Sequence, residues 1–126
     1  MIEKLTLLCV DDDPRELAHN KKQLEEHGYH VLTALDGPAA MTMLEENRVD
    51  GVVLEYQMSP KDGEAVAMDI WRKYVDVPII LFSSHLSQIP ARLMTAVDVS
   101  ADKGRPVEEL LAKLKHLFHG DGAPAN

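Results

Sequence analysis

The chain alternates short apolar segments with longer amphipathic ones along most of its length. The apolar segments predict five strands, at 5–10, 30–35, 51–55, 77–84 and 97–101. The segments that follow them predict five helices, at 14–27, 36–47, 64–74, 87–96 and 106–118. Strict alternation of strand and helix indicates a parallel sheet covered by helices, because parallel neighbours need a crossover connection.

Three of the predicted strands are apolar at nearly every position, which is typical of parallel strands buried on both faces. With right-handed crossovers, the chain forms a single doubly wound α/β domain, a (βα)5 unit with a parallel five-stranded sheet. The expected strand order is 2-1-3-4-5, the flavodoxin-like order, which periodicity alone does not fix. We expect this domain at 1–118, followed by a flexible C-terminal tail or linker start at 119–126. The chain is then either a stand-alone protein or a piece of a longer one.

Charge and cysteine content exclude several classes of protein. A net charge of −8 disfavours direct nucleic-acid binding, because that binding needs Lys and Arg to displace counterions. The uncharged apolar runs fall far short of the roughly 20 residues of a membrane span. The single cysteine, Cys9, rules out an internal disulfide framework and fits a reducing compartment. We therefore expect a cytoplasmic protein without membrane or nucleic-acid contacts.

Acids, hydroxyls and cations collect where the predicted strands end. Asp11, Asp12 and Asp13 follow the first strand, and Glu55 ends the third. Ser83-Ser84 end the fourth strand, and Lys103-Gly104-Arg105 follow the fifth. In open parallel sheets this edge carries the working site, near the switch point between strands 1 and 3. Neighbouring carboxylates need a proton or a metal to coexist, and a few hard oxygen ligands suit Mg²⁺. A hydroxyl and an ammonium opposite the metal would complete a clamp for a phosphoryl group.

These residues, in this order, resemble the receiver domain of bacterial two-component response regulators over roughly residues 4–118. The resemblance is carried by VDDDP at 10–14, VVLEYQM at 52–58 with DG at 62–63, PIILFSS at 78–84 and DKGRP at 102–106. It implies a phosphorelay module that receives a phosphoryl group from a histidine kinase or a phosphotransfer protein. Its enzymatic activity would be at most Mg²⁺-dependent phosphoryl acceptance and self-dephosphorylation. It also implies a downstream protein partner on the face of the fourth helix, fifth strand and fifth helix.

The resemblance also implies a metal site at the end of the first and third strands. Asp11 and Asp12 match the metal-associated acids, and Glu55 stands at the position of the phospho-acceptor. The backbone carbonyl of Gln57 would be a further Mg²⁺ ligand. The family usually places Pro four residues after the acceptor, whereas Ser59-Pro60 sets Pro one residue later. We therefore expect a different turn in this loop.

Glu55 stands where the family carries Asp, eight residues before Gly63. The extra methylene moves the carboxylate roughly 1.5 Å further from the backbone. A displacement near 1 Å can cost on the order of 10²-fold in rate. We therefore predict weak or absent phosphorylation and a weakened Mg²⁺ site. Alternatively, a carboxylate placed near Lys103 and Ser83 would partly mimic the phosphorylated state. An engineered substitution is a third possibility.

The cation and the switch residues also depart from the family pattern. Ser83 matches the phosphate-sensing hydroxyl. The usual Lys is followed directly by Pro, but here Arg105 precedes Pro106 and Lys103 lies two residues earlier. We favour Lys103 over Arg105 as the cation that contacts the phosphoryl group. Family members often carry an aromatic residue three positions before that Lys, where this chain has Ser100, so aromatic switching is not expected.

Each of these residues also has a simpler interpretation. The three aspartates could only cap the first helix, and Glu55 could be a solvated acid. Ser83 could be an ordinary strand-end hydroxyl, and Lys103 a surface lysine. Three other functions stay open: an ordinary phospho-accepting switch that works despite Glu55, a phosphorylation-independent interaction module, and an unrelated Mg²⁺-dependent phosphatase.

Overall fold

Helices and strands alternate through the computed structural model, which describes residues 4–58 and 63–119. The strands are β1 (Thr6–Val10), β2 (His30–Ala34), β3 (Gly51–Leu54), β4 (Ile79–Ser83) and β5 (Val99–Asp102). The α-helices are α1 (Pro14–Glu26), α2 (Gly37–Glu46), α3 (Gly63–Lys73) and α4 (Val107–His119). Two short 3₁₀ helices, Leu86–Gln88 and Ala91–Thr95, lie between β4 and β5.

The five strands form one parallel sheet in the order β2-β1-β3-β4-β5. The predicted fold class and strand order are therefore confirmed. β1 lies between β2 and β3, and its last residue, Val10, pairs with Leu54 at the end of β3. Because these two strands end side by side, the residues that follow them, Asp11 and Glu55, emerge at the same edge of the sheet.

Alternate residues of the strands pack on opposite faces of the sheet. Leu8 and Val10 of β1 belong to a buried cluster that includes side chains of α2 and α3. Leu7 and Cys9 belong to a second cluster, which includes side chains of α1 and α4. Both faces of the sheet are thus covered by helices, which explains why β1, β3 and β4 are continuous apolar runs without polar alternation.

The predicted helix boundaries depend on local capping. The carboxylate of Asp13 accepts a hydrogen bond of 2.9 Å from the backbone N–H of Arg15, and Asp36 accepts one of 2.8 Å from Ala39. These are N-cap bonds, which satisfy N–H groups that the first helical turn leaves without partners. Gly28 follows α1 with a φ of +94°, the left-handed conformation that glycine adopts without steric cost.

The predicted helix at 87–96 is wrong, because the structure has two 3₁₀ segments there instead of an α-helix. Pro90 has no backbone N–H and pushes the preceding residue toward extended backbone. Ile89 accordingly has φ −78° and ψ 127°. The apolar pattern is still used for packing, since Leu93 is completely buried against the core.

The remaining predictions about the ends and loops are only partly covered by the described residues. α4 continues to His119, and residues 120–126 of the predicted tail lie outside the described part of the chain. The turn predicted at Ser59-Pro60 also lies outside it. Among the described helices, none is long and apolar enough to cross a bilayer.

Candidate functional site

One ammonium group lies between the two acids at the carboxyl edge of the sheet. Lys103 Nζ is 2.8 Å from Asp11 Oδ2 and 2.7 Å from Glu55 Oε1. Glu16, in the first turn of α1, adds a third carboxylate at 3.2 Å. Of the strand-end residues predicted from the sequence, Asp11, Glu55 and Lys103 therefore meet, and Lys103 rather than Arg105 is the cation among them.

Backbone hydrogen bonds of the sheet position these side chains. The N–H of Asp11 donates to the carbonyl of Ala34, and the N–H of Glu55 donates to the carbonyl of Val10. Thus the two acids are anchored directly beyond the last ladder pair of β1 and β3. The N–H of Lys103 donates to the carbonyl of Ser83 across β4 and β5. Each side chain thus starts from a fixed backbone position, and the ion contacts are set by the sheet.

The second oxygen of the Glu55 carboxylate accepts hydrogen bonds from the backbone of the next two residues. Oε2 accepts hydrogen bonds from the N–H of Tyr56 at 2.7 Å and of Gln57 at 3.2 Å. Asp11 is engaged in a similar way, since its Oδ1 accepts a hydrogen bond of 3.0 Å from the N–H of Asp13. Both oxygens of each acid therefore already have a donor within the protein.

The charges of Asp11, Glu55 and Lys103 interact strongly because their side chains are nearly buried. The side chains of Asp11 and Glu55 are 6% and 10% exposed, and that of Lys103 is 14% exposed. Burial raises the pKa of Asp11, and the hydrogen bonds from Lys103 and Asp13 oppose this only in part. Burial alone would lower the pKa of Lys103, but the bonds to Asp11 and Glu55 outweigh it and raise the pKa above its ordinary value. Lys103 is therefore positively charged at neutral pH.

The acids have the chemistry of a Mg²⁺ site but not its arrangement. Carboxylate oxygens suit Mg²⁺, but Asp11 and Glu55 both face the Lys103 ammonium. Asp12 is exposed and lines the cleft above this cluster. Across residues 4–58 and 63–119, no group of three His, Cys, Asp or Glu side chains is arranged to hold a metal ion. As arranged, the side chains fit an internal ammonium and not a divalent cation.

The hydroxyl predicted to sense phosphate is not among the residues that line the cleft. Ser83 is completely buried, and its Oγ accepts a hydrogen bond of 3.0 Å from the N–H of His85. No hydrogen bond of the described residues joins Ser83 to Glu55. The cleft is lined instead by the next two residues, Ser84 and His85.

Arg105 and Ser100 lie away from this cluster. Arg105 forms an exposed ion pair with Glu109 one helical turn later, with Nη2 and Oε2 2.8 Å apart. Ser100 is part of β5, and its carbonyl accepts a hydrogen bond of 2.7 Å from Lys113 of α4. Neither residue contacts Asp11 or Glu55.

An open cleft of about 460 Å³ lies above the cluster, and its walls are strongly acidic. It is lined by Asp11, Asp12, Asp13, Glu16, Glu55, Gln57, Ser84, His85, Lys103 and Gly104. Five acids and one lysine therefore surround this volume. Sequence reasoning missed Glu16, because its position in the first turn of a helix is also where acids are favoured by the helix dipole.

A polar contact connects this cleft to the 3₁₀ segment that replaces the predicted fourth helix. The side-chain amide of Gln57 donates a hydrogen bond of 3.0 Å to Gln88. A second link is the bidentate ion pair of Arg92 with Glu64 of α3, in which Nε lies 2.7 Å from Oε2 and Nη2 lies 3.0 Å from Oε1. The segment at 86–95 is thus held against Gln57, two residues after Glu55, and against α3.

Sequence comparison finds one family model that matches most of this chain. A sequence model described as Response regulator receiver domain matches residues 7–114. The transcriptional regulatory protein PrrA of Mycobacterium tuberculosis is 34% identical over 121 residues, which are 94% of this chain and 52% of PrrA. The chain thus spans about half the length of the curated relatives that it matches. The matched region contains every strand end that contributes to the cluster.

Two solved structures agree in fold and in sequence. The response regulator TrrA of Thermotoga maritima, in complex with Mg²⁺-BeF, is 31% identical with a TM-score of 0.84, and the match covers 90% of this chain and 98% of TrrA. TrrA in complex with the histidine kinase ThkA matches with a TM-score of 0.83, the same identity and the same coverage. TrrA is thus a receiver neighbour that has been crystallised both with Mg²⁺ and with a kinase.

Proposed function

The chain belongs to the response regulator receiver family, and we propose that within this family its phosphorylation is impaired by Glu55. A receiver domain is the part of a two-component response regulator that takes the phosphoryl group. The observation that supports impairment is that both Glu55 oxygens are engaged. Lys103 contacts Oε1 at 2.7 Å, and the N–H groups of Tyr56 and Gln57 donate to Oε2. An acceptor oxygen must instead reach the donor phosphorus in line, with tight positioning.

Mimicry of the phosphorylated state by Glu55 receives less support from the geometry. The carboxylate does reach Lys103, as mimicry requires. However, it carries one negative charge where a phosphoryl group carries nearly two. The Ser83 hydroxyl is also occupied by the N–H of His85 and is not drawn toward Glu55. We therefore favour an impaired acceptor over a permanently active one.

Weakened Mg²⁺ binding is part of the same proposal. The residues that would hold the ion are Asp11, Asp12, Glu55 and the backbone carbonyl of Gln57. Lys103 contacts two of these acids at 2.7 and 2.8 Å, so it opposes a second cation there. The TrrA complex with Mg²⁺-BeF supports Mg²⁺ as the metal that such a site takes.

A histidine kinase or a phosphotransfer protein is the upstream partner that we propose. Support comes from the complex of TrrA with ThkA. We place the downstream protein partner on the face formed by residues 86–95, β5 and α4. A cytoplasmic location and the absence of direct nucleic-acid binding are proposed from the single cysteine and the net charge of −8. The receiver unit is proposed to occupy residues 1–118, with a tail or linker start from 119.

Phosphorylation with acetyl phosphate and Mg²⁺, read by intact mass, tests the proposal. We expect no change in the unmodified chain and a gain of one phosphoryl group, about 80 Da, in Glu55→Asp. Glu55→Gln is the matched control, because it keeps the size of Glu and removes the acceptor. A gain in the unmodified chain would show an ordinary phospho-accepting switch. No gain in any of the three would favour a phosphorylation-independent interaction module.

The interaction module has its own support in the switch residues. Ser83 is buried and hydrogen-bonded, and Ser100 stands where an aromatic switch residue is usual. If the downstream face does not respond to the site, Glu55→Gln leaves the NMR amide signals of residues 86–95 and α4 unchanged. Shifts that spread through these residues would instead show that the site and the face are coupled.

A further inference from the structure

A second open cleft, of about 380 Å³, lies at the end of the sheet opposite to Asp11 and Glu55. Leu5, Tyr29 and Leu111 line it with partly buried, largely apolar side chains, and we call these three residues the floor. Leu5 and Tyr29 directly precede β1 and β2, and Leu111 belongs to α4. An apolar floor with a few polar groups around it is typical of small-molecule sites, which have volumes of about 300–1,000 Å³.

Backbone hydrogen bonds hold the floor in place. The N–H of His30 donates to the carbonyl of Leu5 at 2.9 Å and joins the starts of β1 and β2. The N–H of Tyr29 donates to the carbonyl of Leu24 at 3.2 Å, which holds Tyr29 against the last turn of α1. The cleft is therefore part of the folded domain and does not depend on a ligand for its shape.

Four basic side chains line the same cleft, and none of the described residues that line it is acidic. They are Lys4, His27, Lys115 and His119. This grouping is unexpected in a chain with 21 acidic residues and a net charge of −8. Within residues 4–58 and 63–119, the side chains of Lys4 and Lys115 have no ion-pair or hydrogen-bond partner. Their two ammonium groups are thus available to an anion.

Basic residues at helix ends have a simpler explanation, because they offset the negative partial charge of the last carbonyl groups. This explanation covers His27, whose Nδ1 lies 2.8 Å from the carbonyl oxygen of Gln23 in α1, and His119, the last residue of α4. It does not cover Lys4, which precedes β1, or Lys115, which lies a full turn before the end of α4. The helix ends therefore account for the histidines and not for the lysines.

We propose that this cleft binds a small organic anion in which a carboxylate is attached to an apolar body. The carboxylate pairs with Lys4 and Lys115, and the apolar body covers the floor. Exposed ion pairs are weak by themselves. Burial of the apolar body supplies the rest, since each buried CH₂ group strengthens binding about fourfold. The proposal is independent of the proposed function, because this cleft shares no residue with the cleft above Lys103.

An NMR titration of the full chain with sodium hexanoate, at constant ionic strength, tests the proposal. We expect saturable shifts of the amide signals of Gly28, Tyr29 and Leu111. Acetate lacks the apolar body and 1-hexanol lacks the charge, so each should bind about fivefold more weakly or worse. No saturable shift of these amides up to about 20 mM hexanoate would overturn the proposal, because a weaker site falls outside the range of specific binding. Equal binding of hexanoate and 1-hexanol would also overturn it.

Charge removal at the cleft gives a second test. Lys4→Gln combined with Lys115→Gln should raise the Kd for hexanoate about fivefold or more, because an exposed ion pair strengthens binding roughly two- to fivefold. Lys22→Gln combined with Arg72→Gln is the control, since it removes two charges from exposed side chains of α1 and α3 outside the cleft. Its Kd should stay within about twofold of the unmodified value. Equal losses of affinity in the two double variants would mean that only net charge matters, and would overturn the assignment of the site.

Discussion

Replacing Lys103 with glutamine should lower the free energy of unfolding by about 3–4 kcal/mol. At contact distances of 2.7 and 2.8 Å and an effective dielectric constant near 20, each pair attracts by about 6 kcal/mol. Desolvation of each ion offsets several kcal/mol of this attraction. The substitution leaves two nearly buried acids without a counter-ion, and removing one partner of a buried ion pair typically lowers the free energy of unfolding by about 3–5 kcal/mol. The N–H donors to Asp11 and Glu55 remain, so we expect the lower part of that range.

Urea unfolding followed by circular dichroism, in the absence of divalent cations, measures this loss. Lys115→Gln is the control, because it removes the same charge from an exposed side chain of α4. It should change the free energy of unfolding by less than about 0.5 kcal/mol, as substitutions at exposed positions usually do. A double-mutant cycle with Glu55→Gln isolates the pair, because the double variant removes both charges. We expect a coupling energy of about 2 kcal/mol, within the range found for contacting residues.

Two results would refute this reasoning. A loss below about 1 kcal/mol in Lys103→Gln would mean that the acids are solvated and behave as surface charges. Strict additivity in the cycle would mean that the loss comes from packing of the lysine stem and not from its contact with Glu55.

Three further predictions follow from the core and the loop packing. Gly63→Ala should destabilise the fold by about 2 kcal/mol or more, because the added Cβ would clash with the backbone of the loop after β3. Gly104→Ala is the control, because a Cβ at Gly104 would contact only a flexible side chain. Both are read by urea unfolding, and equal losses would contradict the prediction. Burial raises the pKa of Cys9 to about 12, so its alkylation at pH 8 should be about 10³-fold slower than that of an exposed thiol until urea unfolds the chain; rapid labelling of the native protein would contradict it. Leu81→Ala, at a completely buried position of β4, should cost about 2–5 kcal/mol, while Leu35→Ala, at 48% exposure, should cost less than about 1 kcal/mol; similar losses would show that Leu81 is not a core residue.

The fold was predictable because the amino-acid composition of each strand depends on whether its faces are buried. β1, β3 and β4 are buried on both faces, so nearly every residue in them is apolar and each run is recognisable by itself. The predicted helix starts at 14 and 36 agree with α1 and α2 to within one residue, since Asp13 and Asp36 make the capping bonds that their types favour. These features depend on neighbours within a few residues along the chain.

The helix predicted at 87–96 shows what apolar periodicity cannot determine. Ile89, Leu93 and Val97 have helical spacing, and all three pack against the core. Apolar spacing reports which side chains are buried, but the backbone between them is decided by Pro90, which cannot continue an α-helix. The same face is thus presented by two short 3₁₀ helices.

The sequence by itself determined which residues lie at the carboxyl edge of the sheet. Strand ends at Asp11, Glu55 and Lys103 follow from the strand pattern and the parallel order. Only the tertiary structure decided how their charges are shared, because that depends on distances between residues up to 92 positions apart. It placed Lys103 between the two acids, added Glu16 from α1 and left Ser83 bonded to its own loop. The sequence shows which charged residues follow each strand. Ion pairing in a nearly buried site also depends on the distances between the charged atoms, which only the packed fold determines.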